Sequence, residues 1–279
     1  MARRSKLKVL ALLPALALAV AACGSSDGGT TGSSGGNTAA NGVKLVEAGK
    51  IKTCTNLPYP PFQFKQGDKT VGFDVDMVDL AAKKLGVTQE IVDIQFDVIK
   101  SGAALNSGKC DVAAAGMTIT DERKQNLDFT NPYFDEVIAL LVPKGSGITS
   151  LDQLKDKKIG VQRGTTSLDY ATEKGFTPTE FEDSGKQLQA YQAGQVDAVL
   201  QDLPVVNEWL KKQGLGEKFE IGAEIETGAQ YGIAVKKGGN PELLKTLNDA
   251  LDAAIKDGTW AKSYEQWMGS KPKSTPSGK

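Results

Sequence analysis

The sequence KIGVQRGTTSLDYATEK, residues 158–174, holds in one stretch the unit from which the chain is built. Its first part, 158–162, centres on two β-branched residues and predicts a short buried strand. Gly-Thr-Thr-Ser at 164–167 predicts a turn, and 168–174 predicts a short helix. The same alternation continues from residue 44 onward, which is typical of an α/β fold with mainly parallel strands. We predict strands at 51–55, 89–94, 111–116, 137–142, 158–162, 179–182, 198–201 and 232–235.

Two helix ends are also marked in the sequence. Asp74 is a candidate N-cap for a helix with apolar residues along one face, and Gly86 is a candidate for its left-handed end. Ser150 and Gln153 have the spacing of a capping box, which predicts the start of another short helix.

Composition narrows the class of protein. With 279 residues and 40% hydrophobic content, the chain is long enough for one large domain or two modest ones. Its 33 basic and 34 acidic side chains lack the positive excess of a nucleic-acid-binding protein, so we expect no nucleic-acid partner. The absence of histidine excludes Ser-His-Asp and Cys-His catalysis and histidine-ligated metal sites. The three cysteines form no Cys-x-x-Cys pair, and we expect neither a metal nor a cofactor.

The N-terminus predicts export. Four basic side chains lie among residues 3–8, an apolar run follows at 9–20, and small residues precede Cys23, which together are typical of a signal peptide at 1–22. The apolar run is too short for a transmembrane helix, which needs about 20 residues. Val-Ala-Ala-Cys at 20–23 resembles the lipobox of bacterial lipoproteins, which implies that Cys23 is lipidated and anchors the mature chain to a membrane.

Both ends of the exported chain are predicted to be disordered. Residues 23–43 begin with the lipidated cysteine and continue in Gly, Ser and Thr, which predicts a flexible linker. Residues 271–279 are rich in Pro, Ser and Lys and predict a disordered tail. A folded body on such a linker works outside the cytoplasm, within reach of the outer face of the membrane.

Unusual residues follow the predicted strands, at the edge where α/β folds bind ligands. After 51–55 comes 56–64, rich in proline and aromatic residues in a chain that is only 6% aromatic, which favours a rigid wall of a small-molecule pocket. Rings that only fill the edge of the sheet are the alternative. After 111–116 come Thr118 and Arg123, whose hydroxyl and guanidinium suit a carboxylate. A lone arginine near a helix start also forms surface ion pairs, and that alternative stays open.

Two further strand ends complete the set. The turn at 164–167 precedes a helix N-terminus, whose free N–H groups attract an anion, and ordinary capping by Thr165 or Ser167 is the alternative. The turn lacks the lysine and the glycine spacing of nucleotide-binding loops. Asp202 follows 198–201 and either caps the next helix or receives an ammonium group. An arginine and an aspartate at such positions match the two charges of an α-amino acid.

Four long segments lie in the same order and spacing as those of a known family. They are PYPPFQFKQGDKTVGFDVDM (58–77), AAAGMTITDERKQNLDFTNPYF (113–134), IGVQRGTTSLDYA (159–171) and DAVLQDLPVV (197–206). From about residue 45 to residue 268, the chain resembles the polar amino acid solute-binding proteins of ABC importers, above all their glutamine-binding and arginine-binding members. The resemblance implies a type II periplasmic-binding-protein fold, in which two α/β lobes close on the ligand and deliver it to the importer's permease subunits.

The resemblance also implies domain limits. The first lobe comprises 44–138 plus 231–270, and the second lobe comprises 139–230. The candidate hinge strands are 137–141 and 230–234. We expect a monomer.

Individual residues receive roles from the resemblance. It implies that Arg123 holds the ligand carboxylate with Thr118 and the 164–166 turn, and that Asp202 holds the ammonium group. Tyr59 and Phe96 are the implied aromatic wall, and Gly116 offers a backbone carbonyl. The complete implied set is Asn56, Tyr59, Phe96, Ala115, Gly116, Thr118, Arg123, Gln162, Thr165, Thr166 and Asp202.

Asn56 and Gln162 predict the side chain of the ligand. Many relatives carry an aspartate where Asn56 stands, and Gln162 lies at the side-chain end of the implied pocket. A neutral pocket lined by amides predicts glutamine. Acidic amino acids are an alternative if Arg163 or Lys65 turns into the cleft, and basic amino acids are another if carboxylates elsewhere approach it.

Two other functions and one cross-link stay open. Some exported dehydratases share the implied architecture, and only Asp202 or Glu173 offers them a general acid here, so we expect a binding protein and not an enzyme. A ligand sensor would use the same site. Cys54 and Cys110 would lie on neighbouring strands and are a candidate disulfide, which requires Cα atoms within about 7 Å.

Overall fold

A computed structural model of the protein describes residues 37–276. The predicted signal peptide and the lipidation site at Cys23 lie outside the described residues. In chain order the strands are β1 (Lys50–Thr55), β2 (Phe64–Gln66), β3 (Lys69–Val71), β4 (Thr88–Asp93), β5 (Val112–Ala113), β6 (Leu127–Phe129), β7 (Phe134–Pro143), β8 (Ile159–Gln162), β9 (Thr179–Phe181), β10 (Ala198–Asp202), β11 (Phe219–Tyr231) and β12 (Ala234–Lys236). The α-helices are α1 (Phe73–Leu85), α2 (Phe96–Lys100), α3 (Ala103–Asn106), α4 (Asp121–Lys124), α5 (Thr166–Glu173), α6 (Ser184–Gln192), α7 (Leu203–Lys212), α8 (Pro241–Asp257) and α9 (Thr259–Met268). Three short 3₁₀ turns lie at Ala40–Gly42, Leu151–Leu154 and Leu215–Glu217.

Ten of the strands form two five-stranded sheets, each the centre of one lobe, and β2 and β3 form a separate antiparallel hairpin. The sheet of the first lobe has the order β4-β1-β5-β12-β6, and that of the second has the order β11-β7-β10-β8-β9. The implied two-lobed α/β fold is therefore confirmed. In each sheet four strands run in the same direction, as expected of mainly parallel strands, and one runs against them: β12 in the first sheet and β7 in the second. These strands enter or leave a lobe through the crossings and not through the helical connections that keep neighbouring strands parallel.

The chain crosses between the lobes twice, and the two crossings are hydrogen-bonded to each other. The first runs from β6 to β7 and the second from β11 to β12. The backbone N–H of Thr130 donates to Ile233 O over 2.9 Å, and that of Tyr133 donates to Tyr231 O over 3.0 Å. β7 pairs with β11 from Phe134 onward, so the candidate hinge at 137–141 lies inside a fully paired strand of the second sheet. The first crossing lies earlier, between the end of β6 and the start of β7. The apolar run at 137–141 predicts a strand, but it does not show which neighbouring strands that strand pairs with.

The helix ends at Gly86 and Ser150 are as predicted, and the helix start at Asp74 is not. Gly86 ends α1 in the left-handed conformation, and the capping box of Ser150 and Gln153 is present. Asp74 is not a cap, because α1 begins at Phe73 and Asp74 lies inside it. Its buried carboxylate instead accepts hydrogen bonds from the N–H of Gly116, at 2.6 Å, and from the hydroxyl of Tyr133, at 2.7 Å. A tertiary partner has thus replaced the local one.

The ends of the described chain pack against the body. Val43 is fully buried, and the side-chain amide of Asn37 donates to Val46 O over 2.8 Å, so the folded body has already begun at residue 37. The prediction of a flexible linker up to residue 43 is wrong for these residues. Pro276 is also buried, which contradicts the prediction of a disordered tail at that position. Within 37–276, no helix is both long and apolar enough to cross a bilayer.

A disulfide bond joins Cys54 to Cys110 inside the first lobe. The two Cα atoms lie 5.7 Å apart, and both side chains are buried. The bond forms because β1 and β5 are neighbours, with Cys54 directly opposite Ala113. It closes a loop that contains α1, β4 and Phe96, and so it ties together elements that line the edge of the first sheet.

We predict that the Cys54→Ser/Cys110→Ser variant folds but loses about 3 kcal/mol of its free energy of unfolding. The cross-link limits the conformational freedom of the unfolded chain over a sequence separation of 56 residues. Guanidinium denaturation of the wild type and the variant, each with and without reductant, measures this loss. Reductant should destabilise the wild type alone, and equal stability of all four samples would contradict the prediction.

Candidate ligand-binding site

The carboxyl ends of the parallel strands of the two sheets face each other across an interlobe cleft. Arg123 of the first lobe donates from Nη2 to the carbonyl of Gly164 in the second, at 3.1 Å. Gln162 at the end of β8 donates from Nε2 to Oδ1 of Asn56 after β1, at 2.8 Å. The Tyr59 hydroxyl lies 2.5 Å from Oδ2 of Asp202, the last residue of β10. We use the name interlobe cleft for the space that these residues enclose.

Glycine is required where the loop after β5 passes the wall of the cleft. Gly116 has a φ of +55°, and a Cβ atom there would lie 2.9 Å from Cε1 of Tyr59. Asp74 fixes the loop from behind through the Gly116 N–H, and burial raises the pKa of that carboxyl to about 6. The close approach of ring and backbone lets Tyr59 reach across to the second lobe, so a side chain at position 116 would push the cleft open.

Arg123 lies on the short helix α4, where Thr120 accepts a hydrogen bond from its backbone N–H at the helix start. Its Nη1 donates to Thr118 O over 2.8 Å, and its guanidinium lies 5.3 Å from the centre of the Phe96 ring. The side chain is only 4% exposed, and burial lowers the pKa of its guanidinium. Among the described residues it forms no direct ion pair with a carboxylate. A buried cation that is held only by carbonyls and a ring is poised to receive an anion.

Asp202 is the opposite charge on the opposite lobe. It occupies the N-cap position of α7, yet its side chain makes no capping hydrogen bond and instead accepts from the hydroxyls of Tyr59 and Tyr231. Burial, followed by the nearby carboxylate of Glu136, raises the pKa of Asp202 to about 7, while the two tyrosine hydroxyls and Arg123 oppose the rise. The alternative that Asp202 serves as an ordinary helix cap is therefore wrong.

The amides of Asn56 and Gln162 form the other end of the cleft. The Nδ2 of Asn56 donates to Ile94 O over 3.0 Å, which fixes its Oδ1 toward Gln162. Gln162 is buried, and its Oε1 has no hydrogen-bond partner within residues 37–276. An unpartnered buried acceptor costs roughly 1–3 kcal/mol, so this oxygen is suited to a donor on a bound molecule.

Comparisons with known proteins agree with this geometry. Residues 51–270 match the sequence profile of the bacterial extracellular solute-binding proteins, family 3. The chain belongs to this family. It is 36% identical to the putative ABC transporter arginine-binding protein 2 of Escherichia coli K12, over 81% of this chain and 93% of that one. An ancestral arginine-binding protein solved with glutamine superposes with a TM-score of 0.74 at 43% identity, over 80% of this chain and 100% of that one. The structure solved with arginine gives a TM-score of 0.73 at 44% identity, over 78% of this chain and 98% of that one.

The solute-binding protein brings most of the residues singled out in its sequence to this cleft. Those that make the contacts described above are Asn56, Tyr59, Phe96, Gly116, Thr118, Arg123, Gln162 and Asp202. Ala115 is buried in an apolar cluster of the first lobe. Thr165 points elsewhere, because its hydroxyl donates to Gln162 O at 2.8 Å and caps the N–H of Leu168. The hydroxyls of Thr166 and Thr118 both donate to Glu136, and neither hydroxyl accepts a hydrogen bond from Arg123.

Sequence reasoning missed three residues of the cleft. Tyr231 donates to Asp202, Gln201 lies 2.7 Å from the Tyr59 hydroxyl, and Glu136 accepts from threonines. A signal for Glu136 existed, because it has the strand phase of Phe134 and Ile138, and burial alternates in that phase from residue 134 to residue 138. An acidic residue on the buried face of a strand is unusual.

Residues that would change the charge of the cleft lie at its rim or outside it. Arg163 is exposed and lies 3.7 Å from Asp97 and 3.8 Å from Glu180. Lys65 is exposed on the β2–β3 hairpin, and Glu173 is exposed at the end of α5. The charged residues inside the cleft are therefore Arg123, Asp202 and Glu136.

Another cavity, of about 660 Å³, lies beside the start of β7 and includes Glu136 in its lining. Its walls combine aromatic residues of α9 with charged residues of α7 and of the C-terminal segment, among them Trp260, Tyr264, Trp267, Lys211 and Lys273. It contains neither the arginine nor the aspartate of the cleft, so we place the ligand site in the cleft.

We predict that Tyr59→Phe raises the pKa of Asp202 above its value of about 7, because the lost hydroxyl donates to the ionised form. Titration of the Asp202 carboxyl carbon by ¹³C NMR measures the shift. Tyr170→Phe is the control, since that ring lies beside Lys174 on α5 and makes no contact with Asp202. A pKa that stays the same or falls in Tyr59→Phe would contradict the assigned hydrogen bond.

Proposed function

We propose that this solute-binding protein captures a free L-α-amino acid between its lobes and presents it to the permease of an ABC importer. The observation that carries the proposal is the pair of buried, opposite charges on opposite lobes, neither with a direct ionic partner within residues 37–276. The carboxylate of an amino acid suits Arg123, and its ammonium suits Asp202. Such a ligand bridges the lobes and so stabilises the closed state.

The side chain that fits best is a neutral amide, and we propose glutamine. A glutamine amide donates to the unpartnered Oε1 of Gln162, and it accepts hydrogen bonds as well. The Asn56–Gln162 pair is fixed by hydrogen bonds to each other and to Ile94, so the donor and acceptor positions are set before the ligand arrives. A ligand that lacks these groups leaves a buried polar atom unmatched.

Arginine is a second candidate, favoured by two observations. A guanidinium also donates to Gln162, and the buried charges of Asp202 and Glu136 outnumber that of Arg123. The related proteins named above also include one named for arginine and one solved with both amino acids. Acidic amino acids are less well supported, because Arg163 is engaged by carboxylates at the rim and Lys65 is exposed on the hairpin.

The setting of this activity is also part of the proposal. We propose that a signal peptide at 1–22 exports the chain, that lipidation at Cys23 holds it at the outer face of the membrane, and that it works as a monomer. The family name and the binding protein of Escherichia coli favour transport over catalysis. Of the two acids considered for a dehydratase, Glu173 is exposed and Asp202 is engaged by two tyrosines.

Isothermal titration of the chain from residue 24 against the twenty amino acids and cystine tests the proposal. The protein is first unfolded and refolded to remove carried-over ligand. We expect one polar amino acid, glutamine first and arginine second, to bind in the micromolar range or tighter. Arginine at least tenfold tighter than glutamine would replace the first candidate by the second, and silence from the whole panel would overturn the amino acid proposal.

We predict that Arg123→Ala and Asp202→Ala each weaken binding of the ligand found in that panel by at least 2 kcal/mol, or about 30-fold. Each change leaves the partner charge of the ligand buried without a counterpart. The matched controls are Lys124→Ala and Asp156→Ala, which remove exposed charges of the same sign. Circular dichroism checks that the variants fold. Wild-type affinity in either cleft variant would refute the bridging role.

A further inference from the structure

Glu136 is a buried carboxylate that takes no part in the proposed contacts of Arg123 and Asp202 with an amino acid. It is 3% exposed on β7, and its oxygens accept hydrogen bonds from three hydroxyls: Thr118 at 2.5 Å, Thr166 at 2.7 Å and Thr227 at 2.7 Å. In the part of the chain that the structure describes, it forms no direct ion pair. Three hydroxyls satisfy its hydrogen bonds but leave its charge uncompensated.

The register of the second sheet places Glu136 beside Asp202. Asp202 on β10 lies opposite Ile138 on β7, and Glu136 is two residues from Ile138, on the same face. Diagonal neighbours on one face of an antiparallel pair lie about 7–8 Å apart at their Cα atoms, within reach of acidic side chains. Both carboxylates therefore end the same face of the sheet at the edge of the cleft.

Glu136 is not a substitute for the ligand carboxylate. Such a substitute would lie on the guanidinium of Arg123, yet that guanidinium donates to the carbonyls of Thr118 and Gly164 and makes no ion pair with Glu136. The Thr118 hydroxyl donates its proton to Glu136, so its free lone pairs remain available to accept from a donor in the cleft. These contacts favour a cationic group on the Asp202 side and leave Arg123 available to an anion.

The charges around Asp202 come from several elements. Glu136 on β7 faces it with the same sign, Arg123 on α4 with the opposite sign, and Tyr59 and Tyr231 contribute neutral hydroxyls. Two buried carboxylates so close repel each other unless a cation lies between them. The α-ammonium of an amino acid has three N–H donors and one positive charge, which is enough to engage both carboxylates at once.

We propose that Glu136 and Asp202 together form the receptor for the α-ammonium of the ligand, so that Glu136 is a determinant of selectivity for α-amino acids over their des-amino counterparts. This inference rests on the proposed function. It adds to the arginine and aspartate pair a second anion, supplied by the strand that follows the first crossing.

The test compares each amino acid with the same molecule without its α-amino group. The probes are L-glutamine with glutaramic acid, and L-arginine with 5-guanidinopentanoic acid, titrated into the wild type and Glu136→Gln at pH 8. The glutamine side chain keeps the size of Glu136 and its acceptor oxygen but removes the charge. We expect the variant to bind the amino acid at least tenfold more weakly and the des-amino compound less than twofold more weakly.

Two further variants separate a role in binding from a role in holding the threonines. Glu226→Gln removes an exposed carboxylate of β11 beside Thr227 and should leave binding unchanged. Thr227→Val removes one hydrogen bond to Glu136 but keeps its charge, and should weaken binding less than threefold. If Glu136 acts only through hydrogen bonds, Thr227→Val reproduces the loss seen in Glu136→Gln, which would contradict the proposal.

The pH profile gives a readout that does not need the des-amino probes. A protonated Asp202 cannot pair with an ammonium, so wild-type affinity should fall as the pH drops through about 7. Removing the charge of Glu136 makes Asp202 easier to ionise, so the midpoint of the profile should move to lower pH by at least half a unit in Glu136→Gln, and should not move in Glu226→Gln.

The failure of each hypothesis has its own signature. If neither L-glutamine nor L-arginine nor any other amino acid of the panel binds the wild type, the proposed function fails and the ammonium receptor fails with it. If the wild type binds but Glu136→Gln keeps the wild-type pH midpoint and the wild-type ratio between amino acid and des-amino compound, only the role of Glu136 is overturned. A variant that does not fold by circular dichroism is replaced by Glu136→Asp, which keeps the charge, shortens its reach and should retain the pH midpoint.

Discussion

The structure depends on buried charges that have no ionic partner in the part of the chain from residue 37 to residue 276. Arg123 is held by two carbonyls and a ring, and Asp202 and Glu136 are held by hydroxyls. Neutral dipoles meet the geometric needs of these groups but do not cancel their charges, and an uncompensated buried charge costs several kcal/mol. A ligand with an ammonium and a carboxylate on the same carbon removes much of this cost only when both lobes touch it. In the proposed function, the free-energy cost of these unpaired charges therefore favours both ligand binding and closure of the lobes on the ligand.

Residues next to the two crossings between the lobes contact these buried charges. β7 and β11 belong to the second sheet, yet Tyr231 at the end of β11 bridges to Thr118 of the first lobe and accepts a hydrogen bond from the N–H of Tyr133, just before β7. Glu136 lies two residues into β7, and Tyr231 ends β11. Both reach the cleft and Tyr231 binds Asp202 directly. Asp202 is thus in contact with the segments that join the two lobes, which is where the closure in the proposed function would be hinged.

The sequence was informative where a local rule applied. Strand ends are rich in polar residues for a reason of geometry, so Arg123 and Asp202 could be found from their positions after predicted strands. β11 was missed, since its charged residues alternate on a half-exposed edge strand, which weakens the apolar signal. Asp74 satisfied the local pattern of a cap, but its partners are Gly116 and Tyr133, far away in the chain. Local patterns do not carry such long-range pairings.

Selectivity for the two ends of the ligand has different physical origins in this cleft. In the proposed function, the full charges of Arg123 and Asp202 bind the zwitterion end, and that interaction changes little with the side chain of the ligand. The other end is built from the amides of Asn56 and Gln162, whose oxygen and nitrogen atoms can exchange places by rotation of the side chain at small cost. Ancestral binding of both glutamine and arginine by a related protein is consistent with such a division. In this chain, Asn56 is held to Ile94 O, and that single hydrogen bond limits the exchange and so favours one donor pattern.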